Sequence, residues 1–273
     1  HFDIGRFHWQ GFSWTKVQAD LDILSDGKIN LSINHADLCG IDTNGSIRIA
    51  PAPLSMDLRA QAEEKDLKDS LFCLYQGEKE LSGSFNLSCR LEGRGQNATA
   101  MAGSLKGPLR FTSREGRIYR LNLLAKIFGV LNTTEIFFGE IPDLEQEGFG
   151  YNAIDVEGRI EQEKLLLNKG LIDGKTMEIG FQGEVHLTEQ TVDLIVLVAP
   201  LKTVDRIFKR IPLLSHILGG NLISIPFRVS GDLADPRVTP LSPKAVSSEI
   251  LDIMKRTLEL PVKIFQPFMP DKE

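Results

Sequence analysis

The chain has 273 residues, a net charge of −6 and a pI near 5.5, with 42% hydrophobic and 25% charged residues. That is enough apolar material for a sizeable core and argues against global disorder. The acidic balance and the 7% aromatic content argue against a nucleic-acid binder, which needs a basic face and stacking rings.

In chain order, period-2 alternation is the dominant signal. It begins with Val17, Ala19, Leu21 and Ile23, turns at Ser25-Asp26-Gly27, and resumes with Ile29, Leu31 and Ile33. Thr43-Asn44-Gly45 reads as a second turn, and Glu63 to Leu74 as a short helix. Leu81, Gly83, Phe85, Leu87, Cys89 and Leu91 then point one way, with Ser82, Ser84, Asn86, Ser88 and Arg90 pointing the other. A turn is expected at Arg114-Glu115-Gly116, followed by a helix from Leu121 to Leu131 that is apolar nearly all round. Alternating strands return at Met177 to Leu187, Val192 to Val198 and Ile223 to Val229, with turns at Ile172-Asp173-Gly174 and Thr188-Glu189-Gln190. A helix from Thr203 to Leu218 is broken near Pro212. The last helix runs from Lys244 to Leu260, with Val246, Ile250, Met254 and Leu258 on one stripe. Ser242 and Pro243 suit its N-cap and first turn, and Pro261 stops it.

On the order of a dozen strands result, extending roughly 55 Å at about 4.8 Å per strand. Three or four helices are too few to cover so wide an apolar surface. Two stacked sheets, a closed barrel, or a curled sheet whose inner face holds something else would each solve this. Alternation does not choose among them.

Cys39, Cys73 and Cys89 form no C-x-x-C pair, so a zinc or redox motif lacks its usual spacing. Cys39–Cys73 is the expected disulfide, each lying at the edge of an element. The alternative is three buried thiols acting as small apolar groups. His1, His8, His35, His186 and His216 are scattered, and no metal site is expected. Gly93-x-Gly95 and Gly148-x-Gly150 lack the context of a dinucleotide fingerprint. Neither a P-loop nor a G-x-S-x-G elbow is present, so no catalytic residue, cofactor or enzyme activity is expected. No secretory signal is read at His1-Phe2-Asp3-Ile4. The longest uncharged stretch, Ile211 to Phe227, is 17 residues and broken by Pro212, Gly219 and Gly220, short of a membrane span.

The second half carries a resemblance. Gly116-Arg117-Ile118, Leu123 to Phe128 and Leu131-Asn132 are followed by Gly148-Phe149-Gly150-Tyr151 and Gly170-Leu171-Ile172-Asp173-Gly174. Then come Gly180 to Val185, Val198-Ala199-Pro200-Leu201, Ile211-Pro212-Leu213-Leu214 with Ile217 to Gly220, Val229 to Asp232, and Asp235-Pro236-Arg237-Val238. In order and spacing these resemble the AsmA-like C-terminal region, a family related to bridge-like lipid transfer proteins. The match runs from Leu81 to about Pro267, and more thinly through Leu38 to Ile41.

The resemblance implies a mainly β fold: a long antiparallel meander curled into an open groove, with three or four short helices including the amphipathic C-terminal one. It divides the chain into an N-terminal part of the groove (1–80), the AsmA-like groove (81–240), and a C-terminal helix and tail (241–273). It also implies a periplasmic protein held in the inner membrane by an N-terminal helix absent from this sequence. Phospholipid is the expected partner, and no nucleic acid. Acyl chains would lie along Phe85, Leu87, Leu109, Phe111, Ile179, Phe181, Leu194, Val196, Ile225 and Phe227, each methylene leaving water contributing about 0.8 kcal/mol.

The segment from Lys202 to Phe227 allows two readings, a lid packed against the groove's end with its basic residues solvated, or a peripheral membrane contact. In the second, Lys202, Arg206, Lys209 and Arg210 would meet anionic head groups while Leu213, Leu214, Ile217 and Leu218 dip in. Against lipid transport stands a structural or assembly module of the outer membrane with a self-packed core, acting through protein contacts.

Overall fold

A computed structural model describes residues 1–9, 11–50, 52–75, 81–119, 122–133, 148–200 and 224–242. They form one antiparallel sheet of thirteen strands whose spatial order repeats the chain order, and it is not closed. The strands are β1 (Phe2–Trp9), β2 (Phe12–Ile23), β3 (Ile29–Leu38), β4 (Ile41–Ala50), β5 (Leu54–Asp66), β6 (Leu81–Gly95) and β7 (Lys106–Ile118). They continue as β8 (Phe149–Glu161), β9 (Lys164–Gly174), β10 (Met177–His186), β11 (Thr191–Pro200), β12 (Ile225–Asp232) and β13 (Arg237–Pro240). Helix α1 (Leu67–Tyr75) joins β5 to β6, α2 (Ala98–Gly103) joins β6 to β7, and α3 (Asn122–Thr133) follows β7. Of the three arrangements left open by alternation, the described strands make neither a barrel nor two stacked sheets.

Cross-strand register turns the alternation into rows, because directly opposed residues share a face. One row runs Ala36, Thr43, Ala60, Cys89, Leu109, Gly158, Leu167, Gly183, Leu194, Val229 and Val238, from β3 to β13. The next runs Ala62, Leu87, Phe111, Val156, Gly170, Phe181, Val196 and Phe227. One face of the sheet is therefore apolar almost without break.

Where alternation fails in sequence, a bulge restores it in space. Glu115 adopts φ 50° within β7, and the register with β6 shifts between Ser82 and Ser84. A second shift between Tyr151 and Ala153 lets Phe149, Tyr151 and Ile154 all be buried although their spacing mixes odd and even positions. Arg114-Glu115-Gly116 is thus a bulge inside a strand, where a turn is expected. Thr43-Asn44-Gly45 likewise lies inside β4: Gly45 (φ 149°) lets the backbone of β5 approach so closely that a Cβ would overlap the Asp57 carbonyl. The real β3–β4 turn is Cys39-Gly40, with φ 57° and 89° between the paired Leu38 and Ile41, the two positive values a type I′ hairpin requires.

Helix α1 starts four residues later than the Glu63 expected from sequence, because β5 continues to Asp66. Helix α2 is short and capped by Asn97, whose Oδ1 accepts from Ala100 N at 2.8 Å. Helix α3 matches its expected position. Lys126 on α3 pairs with Asp235 and donates to the Pro236 carbonyl at 2.7 Å, in the β12–β13 turn. In the sheet β7 and β13 lie six strands apart, roughly 29 Å at about 4.8 Å each. Helix α3 therefore reaches across the apolar face, where Leu124 and Ile127 join the main hydrophobic cluster. The expected helices at 203–218 and 244–260 lie outside the described residues.

Candidate functional site

The apolar face changes character along the sheet. From β7 to β12 it is covered: Phe149, Met177 and Val229 are 0% exposed, and Phe227 is 1%. Tyr151, Ile154, Ile179, Leu194, Val196 and Val198 belong to the same cluster. From β1 to β6 the described apolar side chains that are fully buried, glycines aside, are Ala19, Ala36, Ala62 and Phe85. Leu31, Ile47 and Met56 form a row of half-buried side chains, and Phe2, Ile4, Leu21, Ile23 and Ile49 on the same half are exposed.

This gradient sorts the residues expected to line a groove. Phe85, Ile179, Leu194, Val196 and Phe227 are buried, whereas Leu87, Leu109, Phe111, Phe181 and Ile225 are half-buried. All ten lie on the apolar face, and nine of them (Leu87, Phe111, Phe181, Val196 and Phe227 in one row, Leu109 and Leu194 in another, Ile179 and Ile225 both opposite Val198) are linked by direct register. The more open row of Leu31, Ile47 and Met56 is missing from that set. Its signal was present: Leu54, Met56, Leu58, Ala60 and Ala62 alternate strictly, and Ile41 to Ile49 do so once Asn44-Gly45 is not taken for a turn.

Aromatic rings on this face lie over glycines. A Cβ at Gly170 would overlap the Phe181 ring, and one at Gly174 the Phe149 ring. Tyr151 covers Gly83 and Gly116 in the same manner. Its hydroxyl donates to the Ser82 carbonyl at 2.5 Å, and Ser113 Oγ, 2.7 Å from that hydroxyl and 3.0 Å from the Ser84 carbonyl, shares its one proton between these two acceptors. Burial holds the Tyr151 hydroxyl above its ordinary pKa. This buried polar knot is satisfied within itself and leaves no group directed at a substrate.

The opposite face is polar and laced with ion pairs. Arg90 forms a two-pronged contact with Asp57 at 2.7 and 3.3 Å and reaches Glu92 at 3.2 Å. Arg228 does the same to Asp193 at 2.8 and 3.0 Å, and these bonds hold the Asp57 and Asp193 carboxyls below their usual range. A cavity of about 810 Å³ opens on this face over β2 to β7. Ser32, Ser46, Ser55, Asp57, Glu92 and Lys106 line it together with Ile47 and Met56, a mostly polar lining suited to water and ions.

One stretch is buried on both faces. Ile195 to Ala199 is an uninterrupted apolar run, and Leu197 (1%) and Ala199 (0%) are buried on the side opposite Val196 and Val198. Glu178 sits directly across from Ala199 on that side, 2% exposed, with Oε2 unpartnered. Burial, and then the Asp173 carboxylate opposite it, push its pKa up to about 7.

Cys39 and Cys73 are joined in a disulfide, Cα atoms 5.6 Å apart, and Cys89 is a half-buried free thiol on the apolar face. Among the described residues no group of three or more His, Cys, Asp or Glu could hold a metal ion. Nor is any described helix long and apolar enough to cross a membrane. The expected membrane-contact residues Lys202, Arg206, Lys209, Arg210, Leu213, Leu214, Ile217 and Leu218 lie outside the described residues. No family model, curated protein or solved structure matches the chain.

Proposed function

We propose that this chain is a lipid-binding segment of a bacterial envelope protein, and that the apolar face of β1 to β6 receives phospholipid acyl chains. The observation that carries the reading is the half-covered row of Leu31, Ile47 and Met56, which ends at Gly93 on β6 and shares its face with the Ala36-to-Val238 row that runs into the buried core of β7 to β12. A sheet that leaves a row of apolar side chains half-open, with exposed Leu21, Ile23 and Ile49 on the same half, suits an apolar occupant. Acyl chains suit it, because the rows carry few polar groups and no fixed charge until Lys65 at one end. The sheet is read as an open groove: glycines such as Gly45 and Gly107, with φ 149° and 153° inside strands, permit the curl a flat sheet lacks.

Lipid held this way is stabilised by burial alone, about 0.8 kcal/mol per methylene, with head groups left in water at the groove's rim. A row of similar side chains offers no single deep trap, so bound lipid can slide along it. The AsmA-like resemblance supports the same reading and extends it to transport between inner and outer membranes. It also carries the periplasmic location, the N-terminal anchor, the C-terminal amphipathic helix and the membrane contact around 202–218. The Cys39–Cys73 disulfide fits an oxidising compartment.

Dense packing of β7 to β12 favours a second reading for that half, as a self-packed structural module that docks onto other proteins. The test separates the two. The purified protein is extracted with organic solvent and the extract analysed by mass spectrometry. Co-purified phospholipid that disappears in Leu31→Glu/Met56→Glu, with the β circular dichroism spectrum and Tm unchanged, supports the lipid reading. A lipid-free wild type that also takes up no phospholipid from vesicles overturns it. Phe181→Asp/Val196→Asp should instead unfold the chain, since Val196 is 2% exposed.

A further inference from the structure

We propose that α1 is a lid on the apolar face and that the Cys39–Cys73 disulfide is its catch, so that reduction opens the face to lipid. The inference rests on the lipid-binding reading above and names how that site is controlled.

The helix lies on the boundary between the open and covered halves of the sheet. Leu67, at its first turn, is 4% exposed and packs with Ala62 and Phe85, and Leu71, Leu87 and Phe111 gather around them. These are residues of the apolar rows, so α1 rests on the surface that acyl chains would occupy. Phe85 and Phe111, ring centroids 5.9 Å apart, are stacked beneath it.

The two halves of α1 are held differently. Its first half is anchored by the buried Leu67 and Ser70, with Ser70 Oγ set against Gly40 of the β3–β4 turn. Beyond Ser70 there is no fully buried residue: Leu71 and Leu74 are half-buried, while Phe72, Cys73 and Tyr75 are exposed. The covalent bond from Cys73 to Cys39 ties this half to a turn two strands away from β5, the strand that delivers the helix. Side-chain burial holds the start of the helix, and the disulfide holds its end.

Cys73 is exposed, so a thiolate can reach its sulfur. A dithiol reductant attacks Cys73 Sγ, forming a mixed disulfide and releasing Cys39 as its thiolate, which takes up a proton. The reductant's second thiol then displaces Cys73. Two electrons and two protons pass to the protein, giving two thiols, and the dithiol becomes a disulfide. With the catch broken, the second half of α1 swings about its Leu67 end and lifts Leu71 off the Ala62–Phe85 cluster, widening the opening onto the apolar face on the side of the β3–β4 turn.

The experiment uses the whole chain in a Cys89→Ser background, oxidised or reduced with dithiothreitol, alongside Cys39→Ser/Cys73→Ser. Amide hydrogen exchange over 67–75 should accelerate at least tenfold on reduction and in the double variant, with β8 to β12 unchanged. Uptake of a fluorescent-acyl phosphatidylglycerol from vesicles should accelerate several-fold in the same two samples. Unchanged exchange in α1, or equal uptake by oxidised and reduced protein, overturns the lid. Uptake by none of the three samples overturns the lipid reading and the lid with it, whereas equal non-zero uptake sinks the lid alone.

Discussion

Glu178→Gln should make the protein more stable at pH 8 and leave it nearly unchanged at pH 4.5. The carboxyl is 2% exposed, one oxygen has no partner, and Asp173 stands opposite it. Burial and that neighbour raise its pKa from 4.5 to about 7 in the folded state. The folded protein then keeps a proton that the unfolded chain has lost, so stability is highest below about pH 4.5 for this group and declines as pH rises towards 7. At about 1.4 kcal/mol per unit, the shift corresponds to roughly 3 kcal/mol withheld from the folded state above pH 7. Glutamine keeps the shape and removes the charge, so most of that energy should return. Urea denaturation at half-unit intervals from pH 4.5 to 8.5 reads it directly. The wild-type midpoint should fall across this range relative to the variant, with parallel m values. Equal pH dependence in the two proteins, or a variant weaker at pH 8, would refute the account of a charge confined without a partner.

Two further substitutions probe the covered half. Gly170→Ala places a methyl where the Phe181 ring lies and should cost about 1–3 kcal/mol by overpacking, with Phe181→Leu restoring part of the loss; thermal melts showing no change would remove the ring-over-glycine contact from the energetics. Tyr151→Phe deletes the hydroxyl that contacts Ser82 and Ser113 and should cost about 1–2 kcal/mol in urea titrations, and an unshifted midpoint would mean that this knot contributes nothing.

Much of this architecture was legible because alternation is a local signal and the strands pair with their chain neighbours. Leu81 to Leu91 reads as a strand with its faces assigned and occurs as read; the α3 segment reads as a helix buried on more than one side, and the helix occurs, with Leu124 and Ile127 buried but Ala125 and Gly129 exposed. Asn44-Gly45 and Glu115-Gly116 misled for one reason: positive φ serves a hairpin turn and a bulge or close strand approach equally, and only the neighbouring strand decides between them. Helix α2 was overlooked because six residues are too few to show a helical period, and its one cue was the capping Asn97. The candidate site was legible as a face rather than as a set of positions. Nothing within β10 or β11 says that α3 will lie over the same side of the sheet, so Ile179 and Val196 could not be told from the more open Leu31 and Met56.

The thirteen described strands, each bonded to its sequence neighbours, make a ladder that is almost one-dimensional. A hairpin inserted or removed within such a ladder changes its length without asking any distant strand to re-pair. Among the described residues, ties outside the strand ladder include Cys39–Cys73 and Lys126 with Asp235. Between those two fastenings the ladder can lengthen or shorten by pairs of strands while the alternation of its faces stays the same, so its length is free to evolve separately from its surface chemistry.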